Sequence, residues 1–260
     1  MKVAVAQIAC ALGDPKANLG KIRDFVSQAK NAGTDLIVFP EMSDTGYSMP
    51  VIQRCATDWM QGAVPNLKEV ARKFSIAIIC GVSERVEKSI YNSQVVVDAN
   101  GEVVATYRKT HLFSPVPIEE HKCFSPGNQL TDFARDEFRV GLGICYDLRF
   151  PEFFRALAAE RNVNTFAISS AWPFPRLEHL RTLAMARAIE NQSYVILSNR
   201  VGTDDGVTFC GSSAIIDPCG VIVAAGSTDR EELIIAELSS EVIASVRKQM
   251  PVFEDRRSDL

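Results

Sequence analysis

The chain has 260 residues, 47% of them hydrophobic and 23% charged, and a net charge of −4. That composition suits one large α/β domain with a well-buried core, and no Lys/Arg stripe offers a footprint for nucleic acid or an anionic membrane surface. No apolar run approaches the roughly 20 residues that span a bilayer, and the seven cysteines are scattered without a Cys-x-x-Cys pair, which argues against a disulfide framework and a structural zinc site and for a reducing cytoplasm.

Met1 to Gln7 reads as a strand that starts at once, without the apolar core and cleavage site of a signal peptide. Asp14-Pro15 opens a helix whose apolar face is Leu19, Ile22, Phe25, Val26 and Ala29, with Gly33 as its stop. Asp35 to Pro40 is a short buried strand, and Glu41 stands just past it. A helix between Asn66 and Phe74 leads to a buried strand over Ile76 to Cys80. Ser93 to Asp98 and Glu102 to Arg108 flank Asn100-Gly101, a strong hairpin signal, and Lys109 leaves the second arm. Arg139 to Ile144 is a strand followed directly by Cys145. Helices over Pro151 to Glu160 and Leu177 to Glu190 bracket a strand near Phe166 to Ser169. Strands at Tyr194 to Ser198, Ser212 to Asp217, Val221 to Ala225 and Leu233 to Glu237 precede a last helix near Glu241 to Lys248. No repeat or linker divides residues 1–260, which read as a single domain.

Glu41, Lys109 and Cys145 each follow a predicted strand. Ligand crevices of open α/β sheets lie outside the carboxyl ends of strands, so three reactive side chains at three such exits can meet. Singly, each has a plain structural reading. A cysteine near a strand end is often a small buried hydrophobe. A loop glutamate is usually solvated, and Lys109 could keep a hairpin arm soluble.

The local sequences go further. Phe39-Pro40-Glu41-Met42, Tyr107-Arg108-Lys109-Thr110-His111-Leu112-Phe113 and Gly143-Ile144-Cys145-Tyr146-Asp147-Leu148-Arg149-Phe150-Pro151-Glu152 resemble the three signature segments of the nitrilase superfamily of carbon–nitrogen hydrolases, in that family's order. The resemblance runs from the first strand to Met250-Pro251-Val252-Phe253 and implies a four-layer-forming α-β-β-α sandwich. It also implies a second glutamate upstream of a Ser-Pro-Gly turn. Ser125-Pro126-Gly127 is preceded by both Glu119 and Glu120, and register favours Glu120.

Such a set suits amide hydrolysis. A cysteine nucleophile splits the reaction into thioester formation and thioester hydrolysis, but a free thiol is mostly protonated at neutral pH. Glu41 can take that proton, hand it to departing ammonia and then activate water. Lys109 supplies charge where the tetrahedral oxyanion develops, and the Tyr146 backbone N–H can share it. Glu120 orients the set. No metal or cofactor is called for, because His111, His121 and His179 lack ligand spacing.

Other classes fit less well. The segment around Cys145 is similar to a nucleophile elbow, but Asp147 stands where that fold needs glycine, and only His179 lies downstream as a base. A redox role lacks a resolving cysteine nearby. A non-catalytic binding module is the reading from another class, and ammonia release separates it from an enzyme. Within the superfamily, the residues after Cys145 resemble amidase branches and lack the Trp-Glu of true nitrilases. Asn199-Arg200-Val201-Gly202, Ser169-Ser170-Ala171-Trp172-Pro173 and the Arg256-Arg257-Ser258-Asp259-Leu260 tail look most like the omega-amidase group, which acts on ω-amides of dicarboxylates such as 2-oxoglutaramate, although Ala171 replaces an asparagine of many relatives. Simple aliphatic amides and carbamoyl compounds remain alternative substrates. Arg149 and Trp172 are the candidate substrate-binding residues. Arg149 either meets a substrate carboxylate or pairs with Asp147 or Glu152. The resemblance further implies a homodimer, with apolar surface from Phe153, Phe154, Ala156, Leu157, Leu183, Met185 and Ala188.

Overall fold

Alternate residues of a strand point to opposite faces, and in β1 (Lys2–Gln7) both faces are apolar: Val3 and Val5 join one buried cluster, Ala4 and Ala6 another. β2 (Leu36–Val38) divides likewise, Leu36 and Val38 against Ile37. A sheet covered on both sides explains why these strands read as unbroken hydrophobic runs.

The structure, a computed structural model, describes residues 1–257. After β1 come α1 (Pro15–Asn31), β2, α2 (Met49–Cys55), α3 (Ala63–Phe74), β3 (Ala77–Val86), β4 (Ser89–Val97) and β5 (Val103–Arg108). The second half contains β6 (Asp132–Arg135), β7 (Phe138–Ile144), α4 (Pro151–Arg161), β8 (Thr165–Ser170), α5 (Leu177–Asn191) and β9 (Tyr194–Asn199). A two-stranded hairpin, β10 (Thr203–Asp204) and β11 (Val207–Thr208), precedes β12 (Ala214–Ile216), β13 (Ile222–Ala225), β14 (Glu232–Glu237) and α6 (Ser240–Gln249).

Two six-stranded sheets result, ordered β14-β1-β2-β3-β4-β5 and β13-β12-β9-β8-β7-β6. β1, β2 and β3 are parallel, as are β7, β8 and β9, and the remaining pairs are antiparallel. One cluster lies between the sheets and continues under α4 and α5, through residues such as Val5, Val140, Phe154 and Ala184. The other joins the first sheet to α1 and α3 through Ile22, Val26, Leu67 and Val70. The architecture is the expected α-β-β-α sandwich. Buried hydroxyls bond across the sheets: Ser169 donates to the Phe39 carbonyl and Ser198 to the Ala6 carbonyl, each at 2.7 Å.

Several elements differ from the sequence reading. β3 and β4 are longer than expected and join in a hairpin that the sequence does not announce, because Glu87 makes the tight turn with φ of 51° and no glycine or asparagine marks it. α2 buries only Val51 and Ile52, and edge strand β6 is mostly half-exposed, so neither carries a periodic signal. The face expected to form a dimer is corrected in part. Phe153, Phe154, Leu157 and Ala188 are buried in the chain's own core, and only Ala156, Leu183 and Met185 stay partly exposed. Of the tail, residues 258–260 lie outside the described residues. Among the described residues, no helix is long and apolar enough to cross a membrane.

Candidate active site

Glu41 sits three residues past β2, pressed against β3. The Gly81 N–H donates to the Pro40 carbonyl at 3.2 Å, and Ser43 N–H to the Gly81 carbonyl at 2.8 Å. A Cβ at position 81 would lie 2.6 Å from the Glu41 Cα, so only glycine lets the loop approach. Glu41 is fully buried. Its Oε1 accepts from Asn92 Nδ2 at 2.6 Å and Lys109 Nζ at 2.8 Å, and its Oε2 from the Ala171 N–H at 2.8 Å.

Lys109 leaves β5 with its backbone fixed on both sides. Its N–H donates to the Asn92 carbonyl and its carbonyl accepts from Gly127 N–H, both at 2.8 Å. Gly127 belongs to the Ser-Pro-Gly turn, and a Cβ there would meet the Arg108 carbonyl oxygen at 2.2 Å. The buried Lys109 Nζ also donates to Glu120 Oε1 at 2.9 Å. An ammonium has three N–H donors; with two directed at the glutamates, one remains for a ligand.

Glu120 is fully buried and accepts from the Tyr47 hydroxyl at 2.7 Å, Asn92 Nδ2 at 3.1 Å and the Phe113 N–H at 2.6 Å. Glu119 instead turns outward, with φ of 48°, and pairs with Lys122 at 2.8 Å. Of the two sequence candidates, Glu120 is the one brought to Lys109.

Cys145 begins a 3₁₀ turn, Cys145–Arg149, with φ of 44°. A non-glycine residue held there costs on the order of 1–3 kcal/mol and needs a surrounding structure that enforces it. Asp147 supplies this, its fully buried carboxylate accepting from the Ile144 N–H at 2.9 Å and from residues 107 to 111. Cys145 opens on a cleft of about 290 Å³, lined also by Tyr47, Phe113, Tyr146, Arg149, Trp172 and Arg176.

Burial sets the electrostatics. It pushes the Cys145 thiol up, and the Glu41 carboxylate adds to this while Lys109 opposes it. It raises Glu41 too, against the pull of Lys109. For Lys109, burial works against the charge, but the Glu120 and Glu41 carboxylates outweigh it and hold the ammonium above the ordinary lysine range. Cys145 is thus a neutral thiol within electrostatic reach of a carboxylate of raised basicity and a permanent cation. Moving the thiol proton to Glu41 leaves the net charge of the set unchanged.

Arg149 does not pair with Asp147 or Glu152. Asp147 is occupied by Tyr107, Thr110 and His111, and the Arg149 guanidinium stacks 4.8 Å from the Trp172 ring centroid, with Nη2 3.2 Å from His179 Nδ1. Trp172 is buried, its N–H bonded to Asn199 Oδ1 at 2.7 Å. Tyr146 lies edge-on to Phe113 and Phe150. His179 is exposed on α5 rather than placed as a triad base, and all seven cysteines are free. Among the described residues, no group of three or more His, Cys, Asp or Glu side chains could hold a metal ion. Sequence reasoning missed Tyr47, Asn92 and Arg176. A buried asparagine within strand β4 is the one available signal, and it is hidden because the sequence pattern starts that strand at Ser93, whereas β4 begins at Ser89.

A sandwich of two mixed sheets that gathers a cysteine, a lysine and a glutamate just past strand ends, with a second glutamate brought to the lysine from a loop turn, is an arrangement suited to hydrolysis. Residues 2–248 match the sequence model of the carbon-nitrogen hydrolases, and the chain belongs to that family. It is 36% identical over 260 residues to a 2-oxoglutaramate amidase of Bacillus subtilis (strain 168), covering 99% of this chain and 98% of that one. A carbon–nitrogen hydrolase superfamily protein from Xanthomonas campestris superposes with a TM-score of 0.92 at 26% identity, covering 100% of this chain and 98% of that chain. An amidase from Nesterenkonia sp. AN1, captured as a mutant after Michael addition of acrylamide at its active-site cysteine, gives a TM-score of 0.86 at 27% identity, with 96% and 98% covered.

Proposed function

We propose that the chain hydrolyses a small linear amide, an ω-amide of a dicarboxylate such as 2-oxoglutaramate, to carboxylate and ammonia through a thioester on Cys145. The observation that carries this is the Lys109 ammonium held at 2.8 Å and 2.9 Å by two buried glutamates, with all three charges near enough to Cys145 to act on its thiol.

As the Cys145 sulfur attacks the amide carbon, Glu41 takes the thiol proton. The carbonyl oxygen becomes an oxyanion facing the remaining Lys109 N–H and the Tyr146 backbone N–H. Collapse of the tetrahedral intermediate expels the amine, which receives its proton from Glu41. The carboxylate, again free, draws a proton from water as that water attacks the thioester. A second collapse breaks the carbon–sulfur bond, releases the acid and restores the thiol. Glu120 keeps Lys109 in place through these steps. The Trp172 ring and the Arg149 guanidinium face the acyl chain, and the guanidinium suits a carboxylate at its far end.

Residues 1–260 are proposed to act as a single domain and as a homodimer in the cytoplasm. Exposed apolar residues Ile189, Val221 and Val223 (54%, 57% and 48% exposed) support the dimer, and a monomeric mass at micromolar concentration would refute it. The activity is tested by ammonia release from a panel of ω-amides, aliphatic amides, nitriles and ureido acids. Release from ω-amides that is lost in Cys145→Ala is the expected result, and turnover surviving in that variant would overturn the thioester route.

A further inference from the structure

The rim of the cleft carries a second guanidinium that this chemistry leaves unused. Arg149 and Arg176 both line the cavity into which Cys145 opens. Each lies against an aromatic ring, Arg149 on Trp172 at 4.8 Å and Arg176 on Phe113 at 5.3 Å from the ring centroids. Among the described residues, neither forms an ion pair with a carboxylate. Elsewhere the half-buried and buried guanidiniums are taken up by the protein itself: Arg108 pairs with Glu84 at 2.6 Å, Arg187 with Glu190 at 2.9 Å and Arg200 with Asp204 at 2.8 Å, while Arg85, Arg135, Arg155 and Arg247 donate to backbone carbonyls. Acidic partners are not scarce, since Asp and Glu number 32 against 28 Lys and Arg. Arg149 and Arg176 differ in that, among the described residues, neither a carboxylate nor a backbone carbonyl takes their guanidiniums, and both line one cleft.

Both are also held in place. The Arg176 carbonyl accepts from Trp172 Nε1 at 2.8 Å, so the ring beneath Arg149 is tied to the backbone of Arg176. Phe113, whose ring lies beneath Arg176, donates its N–H to Glu120 Oε2 at 2.6 Å. Guanidiniums fixed on rings lose little freedom when they bind a ligand. Burial lowers the pKa of Arg149, and the nearby positive charge of Arg176 acts in the same direction. An anion between the two relieves that repulsion, whereas a neutral group does not.

We propose that Arg176 is a specificity-determining residue that, together with Arg149, clamps a carboxylate at the far end of the acyl chain. This rests on the amidase reading above and extends it from one cation to two. An ionised carboxylate offers about four lone-pair sites and can accept from two planar forks at once. The cleft then measures its substrate from both ends, with the amide carbon at Cys145 and the carboxylate at the rim. Short monoamides of dicarboxylic acids fit both ends, and neutral amides satisfy only one.

The test has a kinetic arm and a binding arm. Kinetically, kcat/KM is measured for succinamate and glutaramate against neutral butyramide. Hydrogen bonds to charged groups are worth enough that Arg176→Met should lower the carboxylated-to-neutral ratio about 10- to 100-fold, mainly through KM. Arg176→Lys, which keeps the charge, should recover part of that ratio. In the binding arm, glutarate is titrated calorimetrically into Cys145→Ala and into Cys145→Ala/Arg176→Met, where its Kd should weaken by a similar factor. A ratio and a glutarate Kd both within about twofold of their parents would overturn the clamp while leaving the amidase reading standing. Absence of ammonia release from every amide by the unaltered protein would sink the amidase reading instead, and the glutarate titration would still decide the clamp. Melting curves of each variant identify a loss of fold, in which case Arg176→Lys carries the comparison.

Discussion

The Tyr107 hydroxyl donates a hydrogen bond to Asp147 Oδ2 at 2.7 Å. Tyr107 stands two residues before Lys109, on β5 of one sheet, and Asp147 two residues after Cys145, in the turn that follows β7 of the other. This contact therefore fixes the distance between the candidate nucleophile and the candidate oxyanion cation. Asp147 Oδ1 adds His111 Nδ1 at 2.7 Å, with the His111 ring stacked on Phe150 at 3.8 Å.

Asp147→Ala should accordingly be severe. It strands the Ile144 N–H in a buried site, leaves the Tyr107 hydroxyl only Thr110 as partner and releases the turn that holds Cys145 at positive φ. Removing one member of a buried charged network costs roughly 3–5 kcal/mol, read as a shift of the urea midpoint at constant slope. Asp147→Asn keeps the volume but turns an acceptor into a donor, and it should lose activity beyond its loss of stability. An unfolding free energy for Asp147→Ala within about 1 kcal/mol of wild type would show that the clamp does not hold the turn.

Lys109→Met places two buried carboxylates together without their cation. On the proposed mechanism it loses at least the roughly 10²–10³ in kcat of a missing oxyanion donor. Its stability should also acquire a pH dependence of defined sign. Lys109 opposes the burial that raises Glu41, so removing it raises that carboxyl further. A group whose folded pKa lies above its unfolded one contributes stability at low pH and loses it as pH rises through the folded value. The variant should be more stable relative to wild type at pH 5 than at pH 8, and the opposite trend in melting temperature would contradict the arrangement.

The legible part of this molecule was the part written in local patterns. Val3 to Ala6 and Leu36 to Val38 alternate between two apolar faces, and Asp14 and Pro15 mark the start of α1, so strands and helices could be placed. Glu41, Lys109 and Cys145 were visible as reactive residues at strand exits. What holds them was not. Asn92 touches Glu41 and Glu120 across 51 and 28 residues of chain, and Asp147 reaches back 40 residues to Tyr107. No local period encodes such pairings, because they depend on which strands become neighbours. Arg176 was hidden for the same reason, since only the fold puts it beside Arg149.

Glu41 should govern the acid side of the pH–rate profile. On the proposed mechanism its carboxylate takes the Cys145 proton, so the reactive form is lost as pH falls through the Glu41 pKa. Burial raises that value above the ordinary glutamate range near 4.3. The acid limb of kcat/KM should fall at a correspondingly higher pH. Glu41→Gln should remove the limb along with most of the acylation rate, and iodoacetamide should alkylate Cys145 more slowly in that variant. An acid limb centred at or below about 4.3, or a limb that persists in Glu41→Gln, would assign the titration to another group.

Tyr47→Phe removes one oxygen atom and little else. Its ring, edge-on to Phe209 at 5.9 Å, is retained, as is the backbone N–H donated to Asp204 Oδ2 at 2.8 Å. Burial, with the Glu120 and Glu41 charges beside it, holds the phenol well above the ordinary tyrosine range, so the wild-type hydroxyl stays protonated and donates throughout any assay. Without it Glu120 keeps Lys109, Asn92 and the Phe113 N–H, so the site should remain assembled but less firmly held. A hydrogen bond to a charged group is worth about 1.5–3 kcal/mol. Because Glu120 acts on Lys109 rather than on the substrate, the loss should appear in kcat, about tenfold or more, with a smaller change in KM. A rise in KM at unchanged kcat would instead place the hydroxyl against the substrate, since Tyr47 also lines the cleft. A kcat within about twofold of wild type would mean that the remaining three donors suffice to fix Glu120.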